Sequence, residues 1–225
     1  RVDRRQRQMS IRDRTYIAMI KPDTKLEEKL WRRGLKYVVG VDEAGRGPLA
    51  GPVVVGAVLI LSKSEVLDGV RDSKTLSKRQ REDLYEEILS CSTAWGVGIV
   101  DSKKIDRIGI KEAVKEAMIL AVSEVEKKLK REVEYVISDG AVYLLENRKM
   151  LSINHGDLYH YSISAASIVA KVTRDRIMNE YASKYPEYGF EKHVGYGTKQ
   201  HLEAISRYGI CDIHRRSYAP IREAL

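Results

Sequence analysis

The sequence predicts a mixed α/β protein in which one five-stranded sheet carries helices on its faces. Three strand-like segments come first along the chain, and two more then alternate with helical patterns, which favours a sheet of mixed direction. With 225 residues, 43% of them hydrophobic, the chain can build one sizeable core. We expect residues 37–225 to form a single domain with a C-terminal helical portion, and residues 1–36 to form a basic N-terminal extension with a short helix.

The strands are predicted from short apolar runs bounded by glycine, proline or polar residues. The first covers residues 37–41 and the second 53–61, with a turn rich in glycine and proline between them. The other three cover residues 93–100, 133–138 and 150–154. The last two strands are each followed by an aspartate within a few residues, Asp139 and Asp157.

The helices are predicted from caps and from apolar residues at helical spacing. Thr24 and Glu27 have the spacing of a capping box, and Gly34 is suited to end the helix that they would begin. Further helices are predicted at 78–91, where Ser77 and Gln80 form the cap, from residue 110 onward, at 162–184 and at 199–208. The helix at 162–184 begins with small and apolar residues on nearly every side, so it should be buried. Pro220 is predicted to end the ordered core.

Composition argues against several classes of protein. No run of about 18 apolar residues is present, and the N-terminus lacks the apolar stretch of a secretory signal, so we expect a cytoplasmic protein without a membrane span. Cys91 and Cys211 lie far apart in no metal-binding or redox pattern, which indicates ordinary thiols. No oligomerisation stripe is visible, and a monomer is the default expectation.

The charge is distributed unevenly along the chain. The net charge is +8, with +7 in residues 1–36, −2 in residues 37–157 and +3 in residues 158–225. One interpretation is an acidic, metal-holding centre between surfaces that attract phosphates. The other is a solvated basic tail without a partner, and charge alone does not decide between them.

Four carboxylates stand at the predicted ends of strands. Asp42 and Glu43 close the first strand, Asp139 closes the fourth, and Asp157 follows the fifth. Any one of them is more simply explained as a cap or turn residue, but carboxylates brought together at one sheet edge repel each other unless a cation lies between them. Oxygen ligands of this kind select Mg²⁺ or Mn²⁺. Because neighbouring strand residues point to opposite faces, we expect the strand to break where Asp42 and Glu43 share a site.

A glycine-rich turn follows at once. Gly45, Arg46 and Gly47 can bring backbone N–H groups close to a phosphate or a sugar hydroxyl. The same tripeptide is equally suited to an ordinary tight turn, and the residues alone leave both interpretations open.

Several segments of the chain, in order, resemble the motifs of the ribonuclease HII family over roughly residues 37–222. These segments are Val41–Pro52 (VDEAGRGPLAGP), Asp72–Lys74 (DSK), Ile137–Gly140 (ISDG), Gly156–Asp157, Ser164–Asp175 (SAASIVAKVTRD), His193–Thr198 (HVGYGT) and His214–Ser217 (HRRS). The resemblance implies an RNase H-like fold and a metal-dependent endonuclease. Its substrates would be ribonucleotides embedded in duplex DNA, cut on their 5′ side, and the RNA strand of RNA/DNA hybrids, with 5′-phosphate and 3′-hydroxyl products.

The resemblance also implies roles for particular residues. Asp42, Glu43, Asp139 and Asp157 correspond to the four metal-binding acids, which would hold two Mg²⁺ or Mn²⁺ ions during catalysis. Gly45, Arg46 and Gly47 correspond to the turn that senses the ribose 2′-hydroxyl, and Tyr196 to the tyrosine that stacks on the sugar after the RNA–DNA junction. Lys74, Lys171 and Arg174 fall in motifs that line the substrate.

Some positions depart from the family pattern or have a simpler interpretation. Thr75 and Val194 stand where lysine is common, and Tyr218 stands where phenylalanine is common, which bears on substrate affinity rather than on the four acids. Without the family, Tyr196 would be interpreted as a packing residue. Asp175 is expected to form a local ion pair or to lie at the surface, and not to bind a metal.

Three histidines, His193, His201 and His214, match no common zinc spacing and are expected to be solvated or to face phosphates. Two alternative functions remain open. They are a non-catalytic nucleic-acid-binding module, and another metal nuclease or a ribonuclease H restricted to hybrids.

Overall fold

A computed structural model describes residues 20–140 and 148–223, and it contains the predicted five-stranded mixed sheet. The strands are β1 (Val38–Ala44), β2 (Val53–Leu59), β3 (Ala94–Val100), β4 (Tyr135–Asp139) and β5 (Lys149–Ile153). They lie in the order β3-β2-β1-β4-β5; the β1–β2 and β2–β3 pairs are antiparallel, and the β1–β4 and β4–β5 pairs are parallel. The first 19 residues, predicted as part of the extension, lie outside the described residues.

Helices cover both faces of the sheet. They are α1 (Lys25–Trp31), α2 (Lys78–Cys91), α3 (Ser102–Leu129), α4 (Gly156–Tyr159), α5 (Tyr161–Lys184), α6 (Phe190–His193), α7 (Lys199–Tyr208) and α8 (Ala219–Arg222). The predicted cap of α2 is confirmed as a complete capping box between Ser77 and Gln80. The helix predicted from residue 110 is confirmed as the longer part of α3; a first segment, capped by Asp101, precedes it and is divided from it by Gly109, whose φ is +79°.

The two longest helices, α3 and α5, pack on opposite faces of the sheet. Apolar residues of α3 pack on one face, and α5 packs on the other together with α2. Glycines in the strands allow this close approach: a Cβ on Gly40 would overlap the backbone at Ser162, and one on Gly56 would overlap Ala166. The first half of α5 is buried, as its small residues predicted, and it lies directly beneath the sheet edge that carries the acids.

Helix α1 is packed onto this domain. The predicted capping box at Thr24 was wrong: the Thr24 hydroxyl donates instead to Glu28, and no side-chain cap is formed. Glu27 is fully buried and accepts hydrogen bonds from the backbone N–H and the hydroxyl of Ser162 (3.1 and 2.6 Å). The carboxylate of Glu27 therefore caps the first turn of α5 rather than its own helix. Gly34, with φ of +85°, ends α1 as predicted.

The C-terminal portion forms a separate apolar cluster beyond the sheet. Helix α7 has the predicted bounds. The expectation that Pro220 ends the core was wrong, since proline is accepted in the first turn of α8 and the next residue, Ile221, is fully buried. Within the described ranges, no helix is long and apolar enough to cross a membrane.

Candidate active site

The parallel pairing of β1 with β4 brings two of the predicted acids side by side. Val41 pairs with Ser138, so the next residues, Asp42 and Asp139, lie at the carboxyl ends of adjacent strands. The expected break in the first strand was wrong: β1 stays paired with β2 as far as Ala44. Asp42 and Glu43 nevertheless line the same cavity, and the Asp42 carboxylate accepts the Glu43 backbone N–H at 2.8 Å.

The other two acids are held by neighbouring polar groups. Asp139 accepts a hydrogen bond from the Gly156 N–H (2.7 Å), which fixes the start of α4 beside it. Asp157, in the first turn of α4, is 3% exposed and lies 2.9 Å from the ammonium of Lys74. Glu43 pairs with Arg46 at 3.0 Å.

The cavity has a volume of about 430 Å³ and collects ten of the eleven predicted site residues. Its lining includes Asp42, Glu43, Gly45, Arg46, Gly47, Lys74, Asp139, Lys171, Arg174 and Tyr196. The exception is Asp157, which lies behind Lys74 rather than on the cavity surface. Lys171 is paired with Asp175 at 2.7 Å, which confirms the local ion pair expected for Asp175.

The buried carboxylates raise one another's pKa. Burial, and then the charges of Glu43, Asp157 and Asp139, raise the pKa of Asp42 well above its ordinary value. Burial raises the pKa of Glu43, and burial together with Asp157 raises that of Asp139. These shifts have the physical signature of negative charge without enough compensating positive charge.

The donor set suits a hard divalent cation. All four acids offer carboxylate oxygens, which are the ligands that Mg²⁺ and Mn²⁺ prefer. Among the described residues, no three acidic, histidine or cysteine side chains are already arranged as a closed metal-binding group. The carboxylates are gathered at one edge, and a cation there would relieve the repulsion that raises their pKa values.

Lys74 places a positive charge between Asp157 and a further acid, Asp72. It belongs to a short 3-10 turn whose N-cap is Asp72, a buried carboxylate 3.6 Å from the Lys74 ammonium. Although burial acts to lower it, Asp157 and Asp72 together raise the pKa of Lys74 above its ordinary value. Sequence reasoning gave Asp72 no role; an aspartate two residues before an active-site lysine was the available signal.

The turn at Gly45–Gly47 lines the same cavity as the acids. Gly45 has φ of +95°, and a Cβ there would overlap the side chain of Arg174, so this position needs glycine. A Cβ on Gly47 would lie 3.7 Å from the Tyr196 ring. The turn and the ring of Tyr196 are therefore adjacent surfaces of one cavity.

Arg174 lines the cavity, but the donors of its guanidinium face the backbone behind the cavity wall. It is 1% exposed, and its guanidinium donates to the carbonyls of Pro52 (2.9 Å), Val194 (3.0 Å) and Ala50 (3.1 Å). Burial, and then the nearby charge of Arg215, lower its pKa to about 10. The structure makes Arg174 a brace behind the loop, because its donors are directed to backbone and not into the cavity.

A second brace, Arg215, was missed by sequence reasoning. It is fully buried and donates to the carbonyls of Gly45, Arg46, Gly51 and Pro52 and to the Tyr218 hydroxyl. Five hydrogen bonds from one guanidinium fix both ends of the loop that contains the glycine turn. Its place in the motif His214–Ser217 was the available signal, but a motif does not show which way a side chain points.

The histidines were also wrongly predicted. His193, His201 and His214 are 7%, 0% and 2% exposed, so they are neither solvated nor directed at phosphates. His201 stacks on His193 and is tilted against His214, and Phe190 meets the rings of His193 and His201 edge-on.

Comparison with known proteins places this arrangement in a family. The family model for Ribonuclease HII matches residues 39–221. The chain belongs to the ribonuclease HII family. The "Ribonuclease HII" of Bacillus licheniformis is 50% identical over 199 residues, 88% of this chain and 76% of the relative, and that of Geobacillus sp. is 48% identical over 202 residues, 90% and 71%.

Solved structures agree with the sequence relatives. The ribonuclease H2 from Pyrococcus horikoshii superposes with a TM-score of 0.69 at 30% identity, covering 83% of this chain and 96% of that one. A more distant structure, Bst-RNase HIII in complex with Mn²⁺, has a TM-score of 0.63 at 20% identity over 85% and 70% of the two chains and shows the shared fold. The predicted RNase H-like fold is confirmed, and the protein is a type 2 ribonuclease H that acts on RNA/DNA hybrids.

Proposed function

We propose that this ribonuclease H also incises duplex DNA on the 5′ side of single embedded ribonucleotides, leaving 5′-phosphate and 3′-hydroxyl ends. The observation that carries the proposal is that the glycine turn and the Tyr196 ring lie side by side in the cavity that holds the acids. The Gly45–Gly47 turn presents backbone groups, and the Tyr196 ring lies next to Gly47. Backbone groups in such a turn can test for a ribose 2′-hydroxyl, which is the group that distinguishes RNA from DNA locally.

We assign Asp42, Glu43, Asp139 and Asp157 as the ligands of two Mg²⁺ or Mn²⁺ ions. When bound, such ions supply an activated water and stabilise the leaving oxygen in phosphodiester hydrolysis. The chain's own residues prepare the site: Gly156 holds Asp139, Arg46 holds Glu43, and Lys74 balances Asp157. Lys74, Lys171 and Arg46 place positive charge around the cavity, where the phosphates of a duplex would lie.

The test uses three labelled duplexes: DNA with one internal ribonucleotide, an RNA/DNA hybrid, and DNA alone. Each is incubated with Mg²⁺, with Mn²⁺ and with EDTA. We expect metal-dependent cleavage just 5′ of the single ribonucleotide, cleavage of the hybrid, and an intact DNA duplex. Cleavage of the hybrid alone would restrict the enzyme to continuous RNA, and binding without cleavage would favour a non-catalytic module.

The role of Tyr196 has a matched control on the next helix. We expect Tyr196→Ala to lower kcat/KM on the single-ribonucleotide duplex about tenfold, equivalent to losing a contact of about 1.4 kcal/mol. Tyr208→Ala removes a tyrosine that is 51% exposed on α7 and should leave the rate unchanged. Equal rates for wild type and Tyr196→Ala would remove the argument for junction recognition.

A further inference from the structure

Beneath Tyr196, two buried histidines join segments that are distant in the chain. His201 is in the first turn of α7, and His214 lies in the segment before α8. Their Nε2 atoms are 3.0 Å apart. The other ring nitrogen of His201 lies 2.9 Å from the Tyr196 carbonyl oxygen, and that of His214 lies 2.9 Å from the Cys211 backbone nitrogen.

The two ends of this chain of hydrogen bonds fix the position of every proton in it. Nδ1 of His214 lies 2.9 Å from the Cys211 backbone nitrogen, closer than to the Cys211 Sγ (3.2 Å) or carbonyl oxygen (3.3 Å). Because the Cys211 N–H can only donate, Nδ1 accepts, and the proton of His214 is on Nε2. That proton points at Nε2 of His201, which must accept, and the His201 proton is therefore on Nδ1. Nδ1 then donates to the Tyr196 carbonyl, which can only accept. Both rings are neutral, and a second proton on either ring would set two N–H groups against each other.

The same histidines are attached to the loop that carries the glycine turn. His214 forms an antiparallel bridge with Ala50, and the flanking bonds run from the Gly51 N–H to Ile213 and from the Arg215 N–H to Leu49 (2.8 Å each). Two side chains, those of His214 and His201, therefore connect the backbone of the 49–51 loop to the backbone at Tyr196. The connection passes through the protein interior and touches neither the acids nor the cavity surface.

We propose that the His201–His214 pair is a strut that sets the distance between the Gly45–Gly47 turn and Tyr196, which makes His201 a positioning residue for single-ribonucleotide recognition. The inference rests on the proposed function, because it assigns a purpose to that distance. A duplex with one ribonucleotide offers a single register in which the turn meets the 2′-hydroxyl and the ring meets the next sugar. A continuous RNA strand offers many registers, so a loosened spacing costs less there.

The backbone at Val194, between His193 and Tyr196, has a conformation that valine disfavours. It is a β-branched residue with φ of +44°, a conformation that such residues adopt only under constraint. Its carbonyl accepts from Arg174, and the adjacent Gly195 N–H donates to Nδ1 of His193 at 3.3 Å. The backbone at 193–196 is therefore fixed by several independent contacts, and His201 is the one that reaches the Tyr196 carbonyl from α7.

The test compares three substitutions at one position. In His201→Asn the side-chain amide can replace Nδ1–H and keep the bond to Tyr196, in His201→Gln it replaces Nε2 and keeps only the bond to His214, and in His201→Ala both are lost. The measured quantity is the ratio of kcat/KM on the single-ribonucleotide duplex to kcat/KM on the hybrid. Because the ratio is independent of how much protein is folded, partial unfolding of a variant does not obscure it.

We expect the ratio to fall about three- to tenfold in the Gln and Ala variants and to stay near wild type in the Asn variant. A three- to tenfold fall corresponds to the loss of one hydrogen bond of about 0.7–1.4 kcal/mol. In a Tyr196→Ala background, His201→Ala should change the ratio no further. Glu203→Gln, a substitution of an exposed residue on the same helix, is the matched control. A ratio that stays constant in all three variants, or that follows thermal stability instead of the Asn-versus-Gln distinction, overturns the proposal.

A spectroscopic measurement separates this inference from the proposed function. In the ¹⁵N-histidine spectrum of the wild-type protein, His201 should be the Nδ1–H tautomer and His214 the Nε2–H tautomer, both neutral at about pH 7. Any other tautomer pair contradicts the strut whatever the enzyme cleaves. If the tautomers are as expected but the single-ribonucleotide duplex is not cut by wild type, the proposed function fails and the purpose assigned to the strut fails with it.

Discussion

The acidic and the basic side of the cavity treat buried charge in opposite ways. On one side, Asp42 and Asp157 are buried beside Glu43 and Asp139, and burial followed by the charges of these neighbours raises the pKa of Asp42. On the other side, Arg174 and Arg215 are buried just as deeply, but backbone carbonyls satisfy their donors. An uncompensated buried charge indicates a ligand still to bind, whereas a satisfied one indicates structure. This contrast supports the metal-binding role proposed for the acids and gives the two arginines a structural role.

The largest effect should come from removing one acid. Asp139→Asn keeps an oxygen that can accept the Gly156 N–H but loses a negative charge from the cluster. Since even groups that merely support metal ligands cost about 10–100-fold, we expect the loss in kcat to exceed about 100-fold. Duplex binding in EDTA should persist, because the charge removed is one that repels phosphates.

The same substitution at an exposed site is the control for this prediction. Asp83 on α2 has a side chain that is 64% exposed, and Asp83→Asn should behave as wild type in both assays. Normal turnover by Asp139→Asn would show that this carboxylate does not hold the metal.

Removing a brace should act on stability first. Arg215→Lys keeps the positive charge but loses the planar fork that reaches several carbonyls at once. We expect the free energy of unfolding, measured in urea, to fall by about 2–4 kcal/mol, because buried carbonyls lose their donors. Arg216→Lys changes the adjacent, exposed residue in the same way and should shift stability by less than about 0.5 kcal/mol. If the two variants are equally stable, the hydrogen bonds of Arg215 are not what holds the loop.

The comparison also shows what could be predicted from the sequence. Strands and the end of α7 follow from local pattern, and the pairing of Asp42 with Asp139 follows from the rule that parallel strands share an edge. The direction of Arg174 and the burial of Glu27 depend on partners more than 100 residues away. Motif resemblance located Arg174 correctly beside the site, but only packing shows that its guanidinium faces the backbone.

The histidines illustrate the same limit. Their spacing in the sequence excludes a common zinc site and predicts that the side chains are solvated or face phosphates. In the structure α6, α7 and the segment before α8 meet at Phe190, and the three rings are enclosed together. A shared cluster of residues from three separate segments leaves no periodic signal in any one of them.

Lowering the pH should change the free energy of unfolding in opposite directions through the buried histidines and through the buried carboxylates. Burial lowers the pKa of His201 and of His214 from 6.5 to about 4. Between about pH 6.5 and about pH 4, these histidines bind protons in the unfolded chain but stay neutral in the folded chain. Their contribution to the free energy of unfolding is therefore present at neutral pH and is lost as the pH falls through that range. The buried carboxylates, with raised pKa values, act in the opposite direction: without metal they lose stability as pH rises.

Urea unfolding in EDTA from about pH 8 to about pH 5 measures this balance. In His201→Asn one group that resists protonation is gone, and we expect its stability to fall less with acid than that of wild type, by up to about 1.4 kcal/mol per pH unit. Parallel pH curves for the two proteins would mean that His201 accepts a proton in the folded state without cost.

The smallest effect concerns charge that the sequence places outside the domain. Residues 1–19 contain six arginines and two aspartates. If they contact phosphates, replacing the six arginines by glutamine should make the slope of log affinity against log salt shallower by at least about 1, with kcat unchanged. Substitution is preferable to truncation of residues 1–34, because Leu30 and Glu27 of α1 are buried in the domain and their removal would confound binding with stability. An unchanged slope would identify the extension as a solvated tail, and it would leave the charges around the cavity as the source of duplex affinity.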